Sequence, residues 1–162
     1  MIITPDNSTK LHNLQLKNVL DVGANEGQFT SYIKSIYKDV HCIMVEPNKN
    51  CEPYLSKINA VPHYIALSNK VGEVKMYFQK DNPIGTGASI YKENTTFYDN
   101  CIERVVRCST LDECCYFGDS TIDLLKLDTQ GSELDIIEGG LETVKRCRYI
   151  LIEASLIQYN EG

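Results

Sequence analysis

Apolar residues fall along this chain in short blocks separated by polar turns, and the blocks differ in period. Residues 16–22 form an apolar run ending in Asp21-Val22-Gly23, which predicts a buried strand. Phe29, Ile33, Ile36 and Tyr37 then recur at helical spacing, so an amphipathic helix is expected after Gly27. His41-Cys42-Ile43-Met44-Val45 predicts a second buried strand. Pro47 disfavours helix at the residue before it, so Glu46 is expected to lie extended at that strand's tip. A helix over 50–58 and a third strand over 61–67 complete β-α-β-α-β, the pattern of a parallel sheet with helices on both faces.

The middle of the chain changes period. Residues 73–78 alternate polar and apolar, as a half-exposed strand does, and 104–108 is the expected partner strand. Between them, 82–100 carries Pro83, Gly85 and Gly87 and predicts a long loop, a natural lid in which Tyr91, Phe97 and Tyr98 offer stacking faces. The parallel rhythm then resumes with a helix over 110–116 and a strand over 122–127 ending at Asp128. A helix over 132–138, stopped by Gly139-Gly140, and a fifth strand over 149–153 follow. The expected architecture is one α/β domain with a Rossmann-like doubly wound sheet, mostly parallel, and an antiparallel excursion near residues 73–108.

Charge and cysteine usage narrow the partners. A formal net charge of −6 repels phosphate backbones, so nucleic acid is not an expected partner. No stretch approaches the about 20 apolar residues that cross a bilayer. The N-terminus lacks the charged start and apolar run of a signal peptide, so no membrane is expected and the cytoplasm is the expected compartment. Seven cysteines at irregular spacing contain no Cys-x-x-Cys pair, which predicts reduced thiols packed as small hydrophobes rather than a zinc site.

Open parallel sheets bind ligands where strands end and helices begin. The first such turn reads Asp21-Val22-Gly23-Ala24-Asn25-Glu26-Gly27. Gly23 permits a sharp turn close to a ligand, and Gly27 permits the next helix to pack against the strand. A dinucleotide fingerprint places glycines at Gly-x-Gly-x-x-Gly and aims a helix at pyrophosphate. Here Asn25 replaces the second glycine and Gln28 the third. A carboxylate at Asp21 repels phosphate and suits an ammonium, so the turn fits a ligand with an amino-acid end, a sulfonium and no phosphate: S-adenosylmethionine. Glu46, at the second strand's tip, is placed to accept hydrogen bonds from both ribose hydroxyls, a feature NAD sites share.

Taken with later blocks, this turn resembles the FkbM-type methyltransferase family. The other matching pieces are Val45-Glu46-Pro47, Ile65-Ala66-Leu67-Ser68, Gly72-Glu73-Val74, Ser109-Thr110-Leu111-Asp112, and the run from Ile122 to Glu133 containing Lys126-Leu127-Asp128-Thr129-Gln130-Gly131. The segment from Ile150 to Ser155 matches as well. The resemblance implies a class I, S-adenosylmethionine-dependent methyltransferase acting on a hydroxyl of a sugar or small metabolite. It places Asp21, Gly23, Asn25 and Gly27 around the methionine end of the cofactor, Glu46 on the ribose, and Ala66 and Leu67 beside the adenine. Asp128 falls near the methyl group and the acceptor. Many relatives carry Glu where this chain has Gln130, which points the search for a base away from position 130. Family members continue with a helix and two strands beyond the segment matching 156–162. The expected domain therefore lacks that C-terminal helix and the last two strands, and its fifth strand stands at an open edge suited to homodimerisation.

Methyl transfer is an in-line displacement, so alignment is the protein's chief task. An alcohol acceptor must also lose its proton to a positioned carboxylate, histidine or lysine. Asp128 is the first candidate, followed by His63 and Lys126. Lys126 and Asp128 stand two apart on a strand and so share a face, where they are expected to form an ion pair that keeps Asp128 ionised. No metal is expected, because Asp123, Asp128 and Glu153 show no spacing that makes an oxygen-ligand site. Glu133 suits a helix start. Two other classes share this sheet: a non-catalytic or truncated Rossmann-like binding module, and an NAD-dependent oxidoreductase, against which Asp21 and Asn25 argue.

Overall fold

The computed structural model describes residues 8–82, 84–92, 99–114, 117–118 and 120–153. Along the chain run α1 (Ser8–Leu11), β1 (Asn18–Val22), α2 (Gln28–Ile36), β2 (His41–Val45), α3 (Glu52–Leu55), β3 (Val61–His63), β4 (Ala66–Leu67) and β5 (Gly72–Gln79). Then come β6 (Cys101–Ser109), α4 (Leu111–Cys114), β7 (Ile122–Leu127), α5 (Glu133–Glu138), α6 (Leu141–Lys145) and β8 (Cys147–Ile152). Five strands pair in parallel in the order β3-β2-β1-β7-β8. The mostly parallel sheet read from the apolar runs is present.

Burial follows the two-residue period of the strands. Leu20 and Val22 of β1 pack with Ile43, Val45, Leu125 and Leu127 on one face, against Leu111 and Ile136 from α4 and α5. Val19, Cys42 and Leu124 occupy the other face, beneath Ile33 of α2. Every residue of β7 is buried, as expected of a central parallel strand covered on both sides. The chain winds outward from β1 through β2 to β3 and returns on the far side of β1 as β7 and β8. Strand order therefore reverses between β1 and β7, and the carboxyl ends diverge there to leave a crevice.

The antiparallel excursion is also present. β5 pairs with β6 from Gly72–Cys108 to Gln79–Cys101, and β4 adds a short parallel pairing on β6. Three expected details change. The run over 61–67 is two strands: Val61–His63 stays at the edge of the main sheet, and Ala66–Leu67 crosses to the second. The helix expected over 50–58 shrinks to a 3-10 turn at Lys49–Cys51 followed by α3. α5 ends as expected at Gly139, its C-cap, which has φ −77°. A Cβ there would lie 2.3 Å from the Ser68 carbonyl oxygen, so this glycine lets the end of α5 approach the 68–69 backbone. Finally, α6 follows almost at once and the last strand begins at Cys147. The 110–116 helix is seen as far as Cys114, and Cys115 and Tyr116 lie outside the described residues.

Six of the cysteines are described, all as free thiols, with Cys42, Cys51 and Cys108 buried. Burial pushes Cys51 up to about 12 and Cys42 and Cys147 up to about 11. These thiols stay protonated at neutral pH, in keeping with a packing role.

Candidate active site at the switch point

The diverging ends of β1, β2 and β7 open into a cavity of about 720 Å³. Gly23 and Asn25 of the first turn, Glu46-Pro47-Asn48 after β2, and Ile65-Ala66-Leu67 form much of its wall. Met76 of β5, residues 85–90, residues 128–130 and Glu153 complete it. Among the described residues the lining holds three carboxylates, Glu46, Asp128 and Glu153, and no Lys, Arg or His side chain.

The first turn is built by close backbone approach. Gly23 and Ala24 donate their N–H groups to the Val45 carbonyl at 3.0 and 3.1 Å. Gly23 has φ +76°, and a Cβ on it would lie 1.8 Å from the Asp128 carbonyl oxygen. Only glycine fits both conditions. Asn25 holds φ +48°, a left-handed conformation asparagine tolerates better than most residues. Its N–H donates to Glu46 Oε2 and that of Asn48 donates to Oε1, each at 2.8 Å. Burial pushes the Glu46 carboxyl up, while the Asn48 and Asn25 N–H groups oppose that shift. Each carboxylate oxygen keeps capacity for a further donor from the cavity.

Behind the turn lies a buried ionic network. Lys126 Nζ stands 3.2 Å from Asp21 Oδ1, 3.1 Å from Asp128 Oδ2 and 3.1 Å from the Gly23 carbonyl oxygen. It also lies 5.4 Å from the centre of the Phe29 ring. Asp21 is fully buried, and its Oδ2 accepts a 2.7 Å hydrogen bond from the Thr30 hydroxyl of α2. Burial alone would lower the Lys126 ammonium, yet Asp21 and Asp128 hold it above the usual lysine range.

These positions sort the residues singled out in the sequence. Gly23, Asn25, Glu46, Ala66, Leu67 and Asp128 line the cavity together. Asp21 does not: it belongs to the sheet face under α2, and the ammonium its carboxylate meets is that of Lys126. Gly27 does not either. It caps α2 with φ +81°, and a Cβ there would meet Ile58 at 2.2 Å, so its role is helix packing. His63 sits in the edge strand β3 with Nδ1 3.9 Å from Cys114 Sγ, away from the cavity. Lys126 forms the expected ion pair with Asp128, and the carboxylates of Asp21 and Asp128 favour its charged form.

Other side chains at the cavity were not legible from spacing. Gln130, with φ +58°, donates from Nε2 to Asp128 Oδ1 at 3.1 Å. Glu133 accepts from the N–H and hydroxyl of Thr129 and the N–H of Gly131, so it folds the 129–131 loop in front of α5. Glu153 donates its backbone N–H to the Leu127 carbonyl, and its carboxyl meets that of Asp128. As the first polar residue after an apolar run it marks a strand tip, but only the strand order makes β8 the neighbour of β7.

The loop after β5 forms a strap across the cavity. The Ile84 carbonyl accepts from Asn25 Nδ2 at 3.1 Å, and Ser89 exchanges backbone hydrogen bonds with Tyr77. Ser89 Oγ donates to the Gln130 carbonyl, and the Tyr91 hydroxyl donates to Asp135 Oδ2 at 2.5 Å. That bond to Asp135 pushes Tyr91 up to about 12. Tyr91 is thus a latch onto α5, while Phe97 and Tyr98 lie outside the described residues.

Comparison with known proteins agrees with this arrangement. The chain is 43% identical over 51 residues to "2-O-methyltransferase NoeI" of Sinorhizobium fredii, covering 32% of this chain and 21% of that protein. It is 24% identical over 155 residues to "Methyltransferase sdnD" of Sordaria araneosa, covering 75% of this chain and 59% of that protein. It thus spans well under two thirds of either relative. A solved structure of methyltransferase FkbM from Methylobacillus flagellatus superposes with a TM-score of 0.53 at 15% identity, over 93% of this chain and 40% of that one, and so shares the fold. The family model of the methyltransferase FkbM domain matches residues 21–162, and the chain belongs to the FkbM methyltransferase family.

Proposed function

We propose that the chain binds S-adenosylmethionine in this cavity and methylates a hydroxyl group of a sugar or small metabolite. The observation that carries the proposal is the cavity's charge: three carboxylates and no basic side chain among its described lining residues. A pyrophosphate finds no cation there, whereas a ligand bearing ammonium and sulfonium charges finds three carboxylates. The donor set fits in detail. Glu46 offers a buried carboxylate to a vicinal diol, Ile65, Ala66 and Leu67 offer an apolar wall to a flat ring, and Gly23 and Asn25 line the first turn.

The bound cofactor supplies an electrophilic methyl group. What remains for the chain is orientation, exclusion of water and handling of the acceptor's proton. The strap from Ile84 to Tyr91 closes over the cavity, and the carboxylates of Asp128 and Glu153 stand where the acceptor's proton must leave. The name of one relative, a 2-O-methyltransferase, supports an oxygen acceptor.

Isothermal titration with S-adenosylhomocysteine and with NADH tests the proposal. Saturable binding of the first and none of the second is expected. Binding of NADH in place of S-adenosylhomocysteine contradicts it, and binding of neither leaves a scaffold without this cofactor. Glu46→Gln is expected to weaken S-adenosylhomocysteine by roughly 10-fold or more, the worth of a charge-assisted hydrogen bond.

A further inference from the structure

We propose that Glu153 is the general base that takes the acceptor hydroxyl's proton, and that Asp128 is its positioning partner. The inference rests on the reading of this cavity as that of an alcohol methyltransferase. Both oxygens of Asp128 are already engaged, Oδ2 by the Lys126 ammonium and Oδ1 by the Gln130 amide, each at 3.1 Å. These two contacts hold the Asp128 carboxylate in place. Glu153 is differently placed. It follows Ile152, which pairs with Leu127, and its backbone N–H reaches the Leu127 carbonyl at 2.9 Å. The parallel register therefore sets Glu153 beside Asp128 on the rim of the same cavity, as an exposed residue at its mouth.

Among the described residues, the charged groups facing Glu153 are Lys126 of β7, Asp128 just after it and Glu133 from α5. The Asp128 charge raises the Glu153 carboxyl most, followed by burial and the hydrogen bond shared with Asp128; Lys126 opposes them, and Glu133 adds to them. Two adjacent carboxyls thus divide their roles, Asp128 held by Lys126 and Gln130 and Glu153 exposed at the cavity mouth. As the acceptor oxygen bonds to the methyl carbon of the sulfonium donor, the carbon–sulfur electron pair stays on sulfur. The O–H proton passes to Glu153, which then releases it to water.

The decisive experiment needs no acceptor. Protein labelled with ¹³C at glutamate carboxyls is titrated by NMR, with Glu153→Gln assigning the signal. Glu153 is expected to titrate above the ordinary glutamate range, and Asp128→Asn is expected to bring it back down. An ordinary titration in the wild-type chain, or one that Asp128→Asn leaves in place, overturns the inference. Glu153→Gln should still bind S-adenosylhomocysteine saturably, because Glu46 and Asp128 remain in the cavity lining. A wild-type chain that binds no S-adenosylhomocysteine refutes the donor reading itself, whatever Glu153 does. With labelled S-adenosylmethionine and a panel of methyl glycosides, Glu153→Gln should lower kcat roughly 100-fold or more. Wild-type turnover by Glu153→Gln would return the base to another group.

Discussion

Lys126 stands between a carboxylate sealed inside the sheet and one that opens on the cavity, so a single ammonium serves both stability and the site. Asp21 has 0% exposure, and beside Lys126 its carboxylate meets the Thr30 hydroxyl. Lys126→Met therefore strands a buried charge and is expected to cost about 3–5 kcal/mol in guanidinium unfolding. The double variant Asp21→Asn/Lys126→Met should recover most of that loss, and a double variant as unstable as the single one would contradict the account. Asp123 clamps another part of the sheet. It accepts the N–H groups of Lys17 and Asn18 at 2.8 and 3.0 Å and pairs with Arg148 at 2.9 Å. Burial would raise its carboxyl, but the Asn18 and Lys17 N–H groups and Arg148 hold it below the usual aspartate range. A depressed folded value means stability that is fully present above the unfolded value of about 3.9 and is lost as pH falls through the folded one. The stability gap between the wild-type chain and Asp123→Asn should thus shrink from pH 6 to pH 3 in urea titrations, and a constant gap would count against the clamp. At this scale Gly23 and Glu46 were legible in the sequence because local turn chemistry needs them. The partner of Asp21 was not legible, because it lies on a strand that follows much later and only the register Asp21–Lys126 brings them together.

Among the elements, the strap distinguishes this cavity from a bare switch-point crevice. It is anchored at Ile84 on the first turn, at Ser89 on β5 and the Gln130 backbone, and at Tyr91 on α5. Tyr91→Phe removes the latch onto Asp135 and leaves the ring. It should weaken S-adenosylhomocysteine about 5-fold, chiefly through faster dissociation, as a lost hydrogen bond of about 1 kcal/mol implies. Stopped-flow dissociation checks this, and an unchanged rate would mean that the strap does not retain the ligand. Asp112, a residue of the Thr-Leu-Asp motif, turns out to cap an element: it accepts the N–H groups of Glu142 and Thr143 at the start of α6. Hydrophobic period located the long strands and α2, whose apolar faces repeat often enough to count. It failed for α6 and for the break within 61–67. A five-residue helix shows barely one turn of pattern, and an apolar run reads the same whether it pairs with one neighbour or two.

Among the described residues, the molecule is a five-stranded parallel sheet with a three-stranded excursion, and the outer edge of β8 pairs with no strand. A ligand bound across the first turn, the strap and the tips of β2 and β7 stabilises all of them at once. S-adenosylhomocysteine at 100 times its dissociation constant should add about 2.7 kcal/mol, raising Tm by roughly 5–10 °C for a domain of this size, while NADH leaves Tm unchanged. Scanning calorimetry reads this directly, and equal shifts from both ligands would contradict a cavity selective for charge. By itself the sequence determined the alternation of strands and helices, the placing of Gly23, Glu46 and Asp128 at strand ends, and the family. Each of these follows from local period, local turn chemistry or contiguous motifs. Only the tertiary structure decided that Asp21 lies under α2, that Lys126 is a fixed cation, that a strap spans the cavity, and that Glu153 stands beside Asp128. The reason is common to all four: which strands become neighbours, and in which register, depends on the packing of the whole sheet, and no segment of the chain carries it alone.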